Sequence, residues 1–159
     1  MSYYGLTFEI GVDRMQEPVP IIRVHPDDAP VPRVASETLR AGGLVVLPTE
    51  DGYLIACNAL DPGAVRRLCG VTGAALEDLV RFAAAPEHEV WLSGPIRSTH
   101  HPVPAGLMRA THLPLAAAAV PPGAGPAPTA QHVVFRIGDA ADLVLDAGPV
   151  GRQPAPAGR

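Results

Sequence analysis

There is no lysine in this chain of 159 residues; all twelve basic residues are arginines. That absence removes Schiff-base chemistry, a lysine general base and a phosphate loop of the GxxxxGK type. Aromatic residues make up only 4% of the sequence, so stacking platforms for single-stranded nucleic acid are scarce. Two cysteines, Cys57 and Cys69, are too few for a disulfide framework and too far apart for a Cys-x-x-Cys pair. Both read as small core residues rather than nucleophiles. The four serines (Ser2, Ser36, Ser93 and Ser98) never occur in a Gly-x-Ser-x-Gly setting. No segment is long and apolar enough for a membrane span, and no basic start leads into an apolar leader. The expectation is a cytoplasmic protein without membrane contact.

What is present is aliphatic. Apolar residues reach 47%, against 19 prolines and 16 glycines, so a core must come from Val, Leu, Ile and Ala. At this length, roughly two thirds of the unfolded surface is buried on folding, enough for one domain without metal or disulfide. The net charge of −4 gives no global attraction to nucleic acid, which leaves RNA contact to a local arginine patch.

Three segments organise the chain: an extended, partly disordered arm over residues 1–20, an α/β domain over 21–151, and a flexible Pro-rich tail over 152–159. Ile21 to Val24 is a short strand closed by the turn His25-Pro26-Asp27-Asp28. Helical spacing over Val34 to Arg40 stops at Gly42-Gly43. Leu44 to Leu47 is a continuous apolar strand of the kind buried on both faces, and Tyr53 to Ala56 is a second strand after an acidic break. Asp61-Pro62 opens a helix, with Asp61 as N-cap and Pro62 at its first position.

Further on the pattern loosens. Leu79 to Ala84 and Val90-Trp91-Leu92 read as strands, and Pro104 to Ala110 as a helix with Pro104 at its start. Leu115 to Val120 is open between helix and strand. PPGAGPAPTA, residues 121–130, is an irregular loop. Val133 to Arg136 is a strand by propensity alone, and Leu143 to Leu145 a clearer one.

Few residues carry a chemical signal. His100, His101 and His112 match no zinc spacing, so no metal is expected. Gly123-Ala124-Gly125 imitates a phosphate loop only weakly, lacking both the lysine and a following helix. In LVVLPTEDGYLIAC, residues 44–57, Glu50-Asp51 is either a solvated turn or an acid pair able to move protons.

The run IIRVHPDDAPVPRVASETLRAGGLVVLPTEDGYLIACNALDPGAVRRLCGV, residues 21–71, strongly resembles the opening of the YrdC/YciO family, in its YciO-like branch. A helix ending in Gly-Gly, a buried strand and Pro-Thr-Glu-x-x-Tyr carry the likeness. Farther along, Gly94 to Pro102 is similar to the family's Arg-Val-x-x-x-Pro strand, and Asp142 to Gly151 to its Asp-Leu-Ile-Leu-Asp-Gly-Gly segment. The resemblance implies a twisted, open, mixed α/β sheet with flanking helices, shortened at the C-terminus, around an electropositive cleft.

In active family members such a cleft binds ATP, threonine and bicarbonate and makes threonylcarbamoyl-AMP for transfer-RNA modification; several members bind double-stranded RNA or tRNA. By resemblance, Thr49, Glu50, Tyr53 and Arg97 are the ligand-binding residues, and ATP or AMP the candidate nucleotide. The family's Lys-x-Arg, however, falls on Thr72 and Ala74, and its Ser-x-Asn on Ala119 and Pro121. Neither cation survives, nor does the Ser and Asn pair, which implies weak or no synthase activity. The shortened C-terminus leaves a sheet edge open to a homodimer or a protein partner. Two other readings stand beside this one: an interaction scaffold that keeps only the fold, and a hydrolase using Glu50 and Asp51.

Overall fold

The computed structural model describes residues 19–24, 31–92 and 95–150. Most of the N-terminal arm, the His25-Pro26-Asp27-Asp28 turn and the tail therefore lie outside the described residues. Within them, seven strands form one mixed sheet: β1 (Ile21–Arg23), β2 (Val45–Thr49), β3 (Gly52–Asn58), β4 (Val80–Phe82), β5 (Ile96–Arg97), β6 (Leu115–Ala118) and β7 (Leu143–Asp146). Five helices accompany it: α1 (Arg33–Arg40), α2 (Pro62–Thr72), α3 (Pro86–Trp91), α4 (Pro102–Thr111) and α5 (Ala130–Ile137). The strand order is β1-β7-β2-β3-β6-β4-β5. β7 runs parallel to both β1 and β2, β4 runs parallel to β5, and the β2–β3, β3–β6 and β4–β6 ladders are antiparallel.

Both faces of the central strands are buried, and their alternation divides the core. Val46, Ile55, Cys57, Ala116 and Val144 face α2 and α5, through Ala64, Leu68, Ala130 and Val133. Val45, Leu47, Ala56, Leu115 and Leu145 face α1 and α4, through Ala35, Leu39, Leu107 and Met108. This sandwich explains why Leu44 to Leu47 is an unbroken apolar run, since a strand with helices on each side has no solvent face. Each Leu, Ile or Val removed from water in this way contributes about 1.5–3 kcal/mol.

β2 runs two residues past its apolar stretch, through Pro48. Proline lacks the ladder N–H and is expected only where a strand has a free side. The β2–β7 ladder ends at Val46, so beyond it β2 keeps only its β3 partner and Pro48 fits. The α2 cap is as expected: Asp61 Oδ1 accepts from the N–H groups of Gly63 (3.0 Å) and Ala64 (3.2 Å). In α4, Pro102 takes the first position and Pro104 the third, both inside the turn whose N–H groups have no helical partner. Leu115 to Ala118 resolves as strand.

Two strand expectations are corrected. Val90 and Trp91 belong to helix α3, with Pro86 at its start, and Val133 to Arg136 lie within helix α5. In α5 the hydroxyl of Thr129 accepts from the N–H of His132, and Ala130 and Val133 turn inward three residues apart while Phe135 is 89% exposed. A β-rich tetrapeptide becomes helical because the cap and the threefold spacing outweigh propensity.

Candidate functional site: a cleft at the Thr49–Gly52 turn

Thr49 and Gly52 pair as the last residues of β2 and the first of β3, so Glu50 and Asp51 form the two-residue turn between them. Thr49 is buried, its hydroxyl donating to the Gly52 carbonyl (2.7 Å) and accepting from the Asp51 N–H (3.2 Å). Gly52 has φ +137°, and a Cβ there would stand 2.6 Å from the Ala127 carbonyl oxygen. Only glycine lets the turn approach the 121–129 loop so closely. The contact is a true bridge: the Tyr53 N–H donates to the Ala127 carbonyl (2.6 Å) and the Ala127 N–H to that of Tyr53 (3.1 Å). The Pro- and Gly-rich loop is irregular, as its composition implies, yet it is tied to the edge of the turn.

Between turn, loop and β5 lie two adjoining cavities of about 550 Å³ and 400 Å³. Leu54, Arg97 and Pro126 line both, which makes them one continuous cleft. Thr49, Glu50 and Asp51 line the smaller part, and Ala74, Asp78, Ala119, Gly123 and Gly125 the larger. Arg97 is exposed at the end of β5, and among the described residues its guanidinium has no hydrogen bond or ion pair.

Glu50 reaches across to the segment after β5. Its carboxylate accepts from the Thr99 hydroxyl (2.5 Å) and the His100 N–H (2.7 Å). Partial burial pushes its pKa up, but these hydrogen bonds outweigh that and hold it below the usual glutamate value. The acid is thus an ionised tether, with both oxygens engaged.

Tyr53 does not line this cleft. Its ring packs in the opposite core layer, with Val46 and Ile55, and its hydroxyl donates to the Gly148 carbonyl at 2.6 Å and accepts from the Ala147 N–H at 2.8 Å. Burial drives the phenol pKa up to about 12, which keeps the proton in place. The structure therefore brings Thr49, Glu50 and Arg97 together and sets Tyr53 apart as a clasp on the end of β7.

Of the four positions where resemblance places the family's polar residues, Ala74 and Ala119 line the larger cavity. Thr72 does not: its hydroxyl donates to the Leu68 carbonyl within α2. The charged residues lining the cleft are Glu50, Asp51, Asp78 and Arg97, three acids against one base. An electropositive cleft, implied by resemblance, is not what these side chains build.

Asp78, Leu54 and the loop wall at Pro126 were illegible in the sequence as cleft residues. The one available signal was the Gly123-Ala124-Gly125 run, whose glycines leave the backbone bare along the cavity. Elsewhere, His101 caps α4, its Nδ1 accepting from the Val103 N–H, and His112 is the left-handed residue that ends the same helix. Among the described residues, no group of three or more His, Cys, Asp or Glu side chains is placed to hold a metal ion, and no helix is long and apolar enough to cross a membrane.

No protein-family model matches the chain. The protein YciO of Escherichia coli K12 is 39% identical over 51 residues, 30% of this chain and 24% of YciO. The match thus spans about a quarter of the length of that curated relative. Among solved structures, P. abyssi Sua5 complexed with L-threonine superposes with a TM-score of 0.70 at 22% identity, over 82% of this chain and 51% of that one. The crystal structure of E. coli YciO superposes with a TM-score of 0.68 at 17% identity, over 86% of this chain and 87% of YciO. The chain thus has the fold of the YrdC/YciO family, the family that its own sequence resembles.

Proposed function

We propose that this protein is a YrdC/YciO-like binding domain, related to the threonylcarbamoyl-AMP synthases of tRNA modification, that holds a nucleotide in the cleft through Arg97 and has weak or no synthase activity. The observation that carries the reading is the guanidinium of Arg97, unpaired among the described residues, at the junction of the two cavities. A guanidinium left without a protein partner, yet lining a concave surface, suits an anionic ligand. Thr49 and Glu50 act at one remove: the hydroxyl shapes the turn, and the carboxylate fixes the segment that follows Arg97.

Weak turnover follows from what surrounds that arginine. Adenylate formation needs cations and hydroxyl or amide donors on the phosphates as charge builds in the transition state. Removing one such donor typically costs roughly 3–4 kcal/mol of barrier. Here Ala74 and Ala119 line the wall without one, and three acids repel a polyphosphate. AMP, with less charge than ATP, is the better fit. A cytoplasmic setting suits the two free cysteines.

The test is a thermal-shift series with ATP, AMP, L-threonine and short duplex RNA on the wild type and on Arg97→Ala, beside an assay for threonylcarbamoyl-AMP from threonine, bicarbonate and ATP. AMP stabilisation that is smaller in Arg97→Ala than in wild type supports the reading; synthesis at a rate ordinary for enzymes overturns it. The acidic excess in the cleft favours a second reading, an interaction scaffold that retains the fold alone. Ligand-induced melting shifts that are the same in wild type and Arg97→Ala would select that one.

A further inference from the structure

Beside α2 and α3 lies a separate cavity of about 470 Å³ with charge of the opposite sign. Arg81 of β4 and Ala116 of β6 are register partners on its floor, α2 supplies Val65 and Arg66, and Trp91 and Leu76 stand at its rim. Two arginines line it and no carboxylate does. Trp91 is 52% exposed and Leu76 55% exposed, so both present apolar surface at the cavity.

The cationic side is built rather than loose. The Arg81 guanidinium donates to the carbonyls of Leu79 (3.1 Å) and Leu76 (3.2 Å), which fixes its plane and leaves three of a guanidinium's five N–H donors unassigned. Arg66 has no hydrogen bond or ion pair among the described residues. Trp91 is propped by His88, whose ring lies 5.5 Å away, tilted at 44°. His88 itself is buried, its Nδ1 3.3 Å from the Ala84 N–H and its Nε2 3.2 Å from the His112 carbonyl. An indole and one guanidinium held in place, with a second guanidinium unengaged beside them, lower the ordering cost of binding.

We infer that this cavity is a second binding site, separate from the Arg97 cleft, for a planar aromatic ring bearing a phosphate, the chemistry of a nucleoside monophosphate. The ring stacks on Trp91 beside Leu76 and Val65, and the phosphate takes the N–H groups of Arg66 and Arg81. The volume falls within the range of small-ligand pockets. The inference rests on this cavity alone and holds whether or not the cleft binds a nucleotide.

Trp91 is its own reporter, because it is the sole tryptophan. AMP, adenosine and inorganic phosphate are titrated against its fluorescence, excited at the red edge of the indole band, with wild type, Arg66→Ala and Arg97→Ala. AMP is expected to quench the emission in a saturable way, with adenosine and phosphate each binding more weakly. Arg66→Ala, a change at an exposed side chain, weakens AMP roughly tenfold, as expected for loss of one charge-assisted partner. Arg97→Ala leaves the titration unchanged. No saturable quenching by AMP, equal affinity for adenosine, indifference to Arg66→Ala, or loss of the signal in Arg97→Ala would each overturn the assignment.

Discussion

The N–H of Ala147 donates to the phenol oxygen of Tyr53 at 2.8 Å, joining residues 94 positions apart in the chain. The same hydroxyl donates to the Gly148 carbonyl at 2.6 Å, so one atom ties the start of β3 to the end of β7. Tyr53→Phe keeps the ring and removes the tie, leaving the Ala147 N–H without its partner. The donor is only partly buried, so a loss of about 1 kcal/mol is expected. Urea unfolding measures it, and a variant as stable as wild type would show the clasp to be idle.

Asp146 sits in the same knot and gives the protein an acid-sensitive side. Burial pushes its carboxyl pKa up, but the Gly148 N–H, the Gln131 amide, Arg23 and Tyr53 together hold it below its ordinary 3.8. The folded state therefore keeps this group ionised where the unfolded chain protonates it. Its stabilisation is present above pH 3.8 and is lost as pH falls through the lower folded value. Asp146→Asn should be less stable than wild type at neutral pH, with the gap closing below pH 4. A gap that stays constant with pH would assign the effect to packing instead.

Gly52 is where the turn between β2 and β3 comes up against the 121–129 loop. A methyl group there would meet the Ala127 oxygen at 2.6 Å and the Pro126 Cβ at 2.9 Å, on a backbone with φ +137°. Gly52→Ala must push the 121–129 loop away, and a destabilisation of about 1–3 kcal/mol is expected from the strain. Pro126 lines both cavities, so any ligand of the cleft should weaken in parallel. A crystal structure of the variant with an undisturbed loop would refute the account.

Glu50 holds the His100 N–H, which has no ladder of its own. Hydrogen exchange reads this tether directly: Glu50→Ala should speed exchange at His100 by about tenfold, the loss expected for one hydrogen bond to a charged acceptor. Since the folded pKa lies below 4.5, the wild-type tether should persist at pH 5 and loosen only in stronger acid. Unchanged exchange in the variant would mean that other contacts fix the segment.

What the sequence made legible was local and strongly signalled. Asp61-Pro62 carries both halves of a helix start, and Leu44 to Leu47 has no polar residue to spare for solvent. Less visible was the turn of α5. Val133, Val134 and Phe135 look like strand until Thr129 is read as a cap and Ala130 and Val133 as one helical face. For α3 the missed sign was Pro86, a helix opener, while Val90 and Trp91 drew the eye as β-formers.

For the cleft, Pro-Thr-Glu marked a turn whose Thr49 and Glu50 line it. It could not say that Tyr53, three residues beyond Glu50, faces the other layer, because strand alternation begins at Gly52 and its phase depends on the turn. Nor could it place Asp78 and Pro126 beside Arg97, since those neighbours meet only through the β4–β5 and Tyr53–Ala127 contacts.

Within the described sheet, β1 has a single strand neighbour, and that neighbour is β7. On the ribosome, Ile21 to Arg23 leave the exit tunnel well before Leu143 to Asp146 and must wait for them before a ladder can form. Until β7 has been made, β1 has no strand to pair with, and the earliest strand of the described sheet is among the last to be completed.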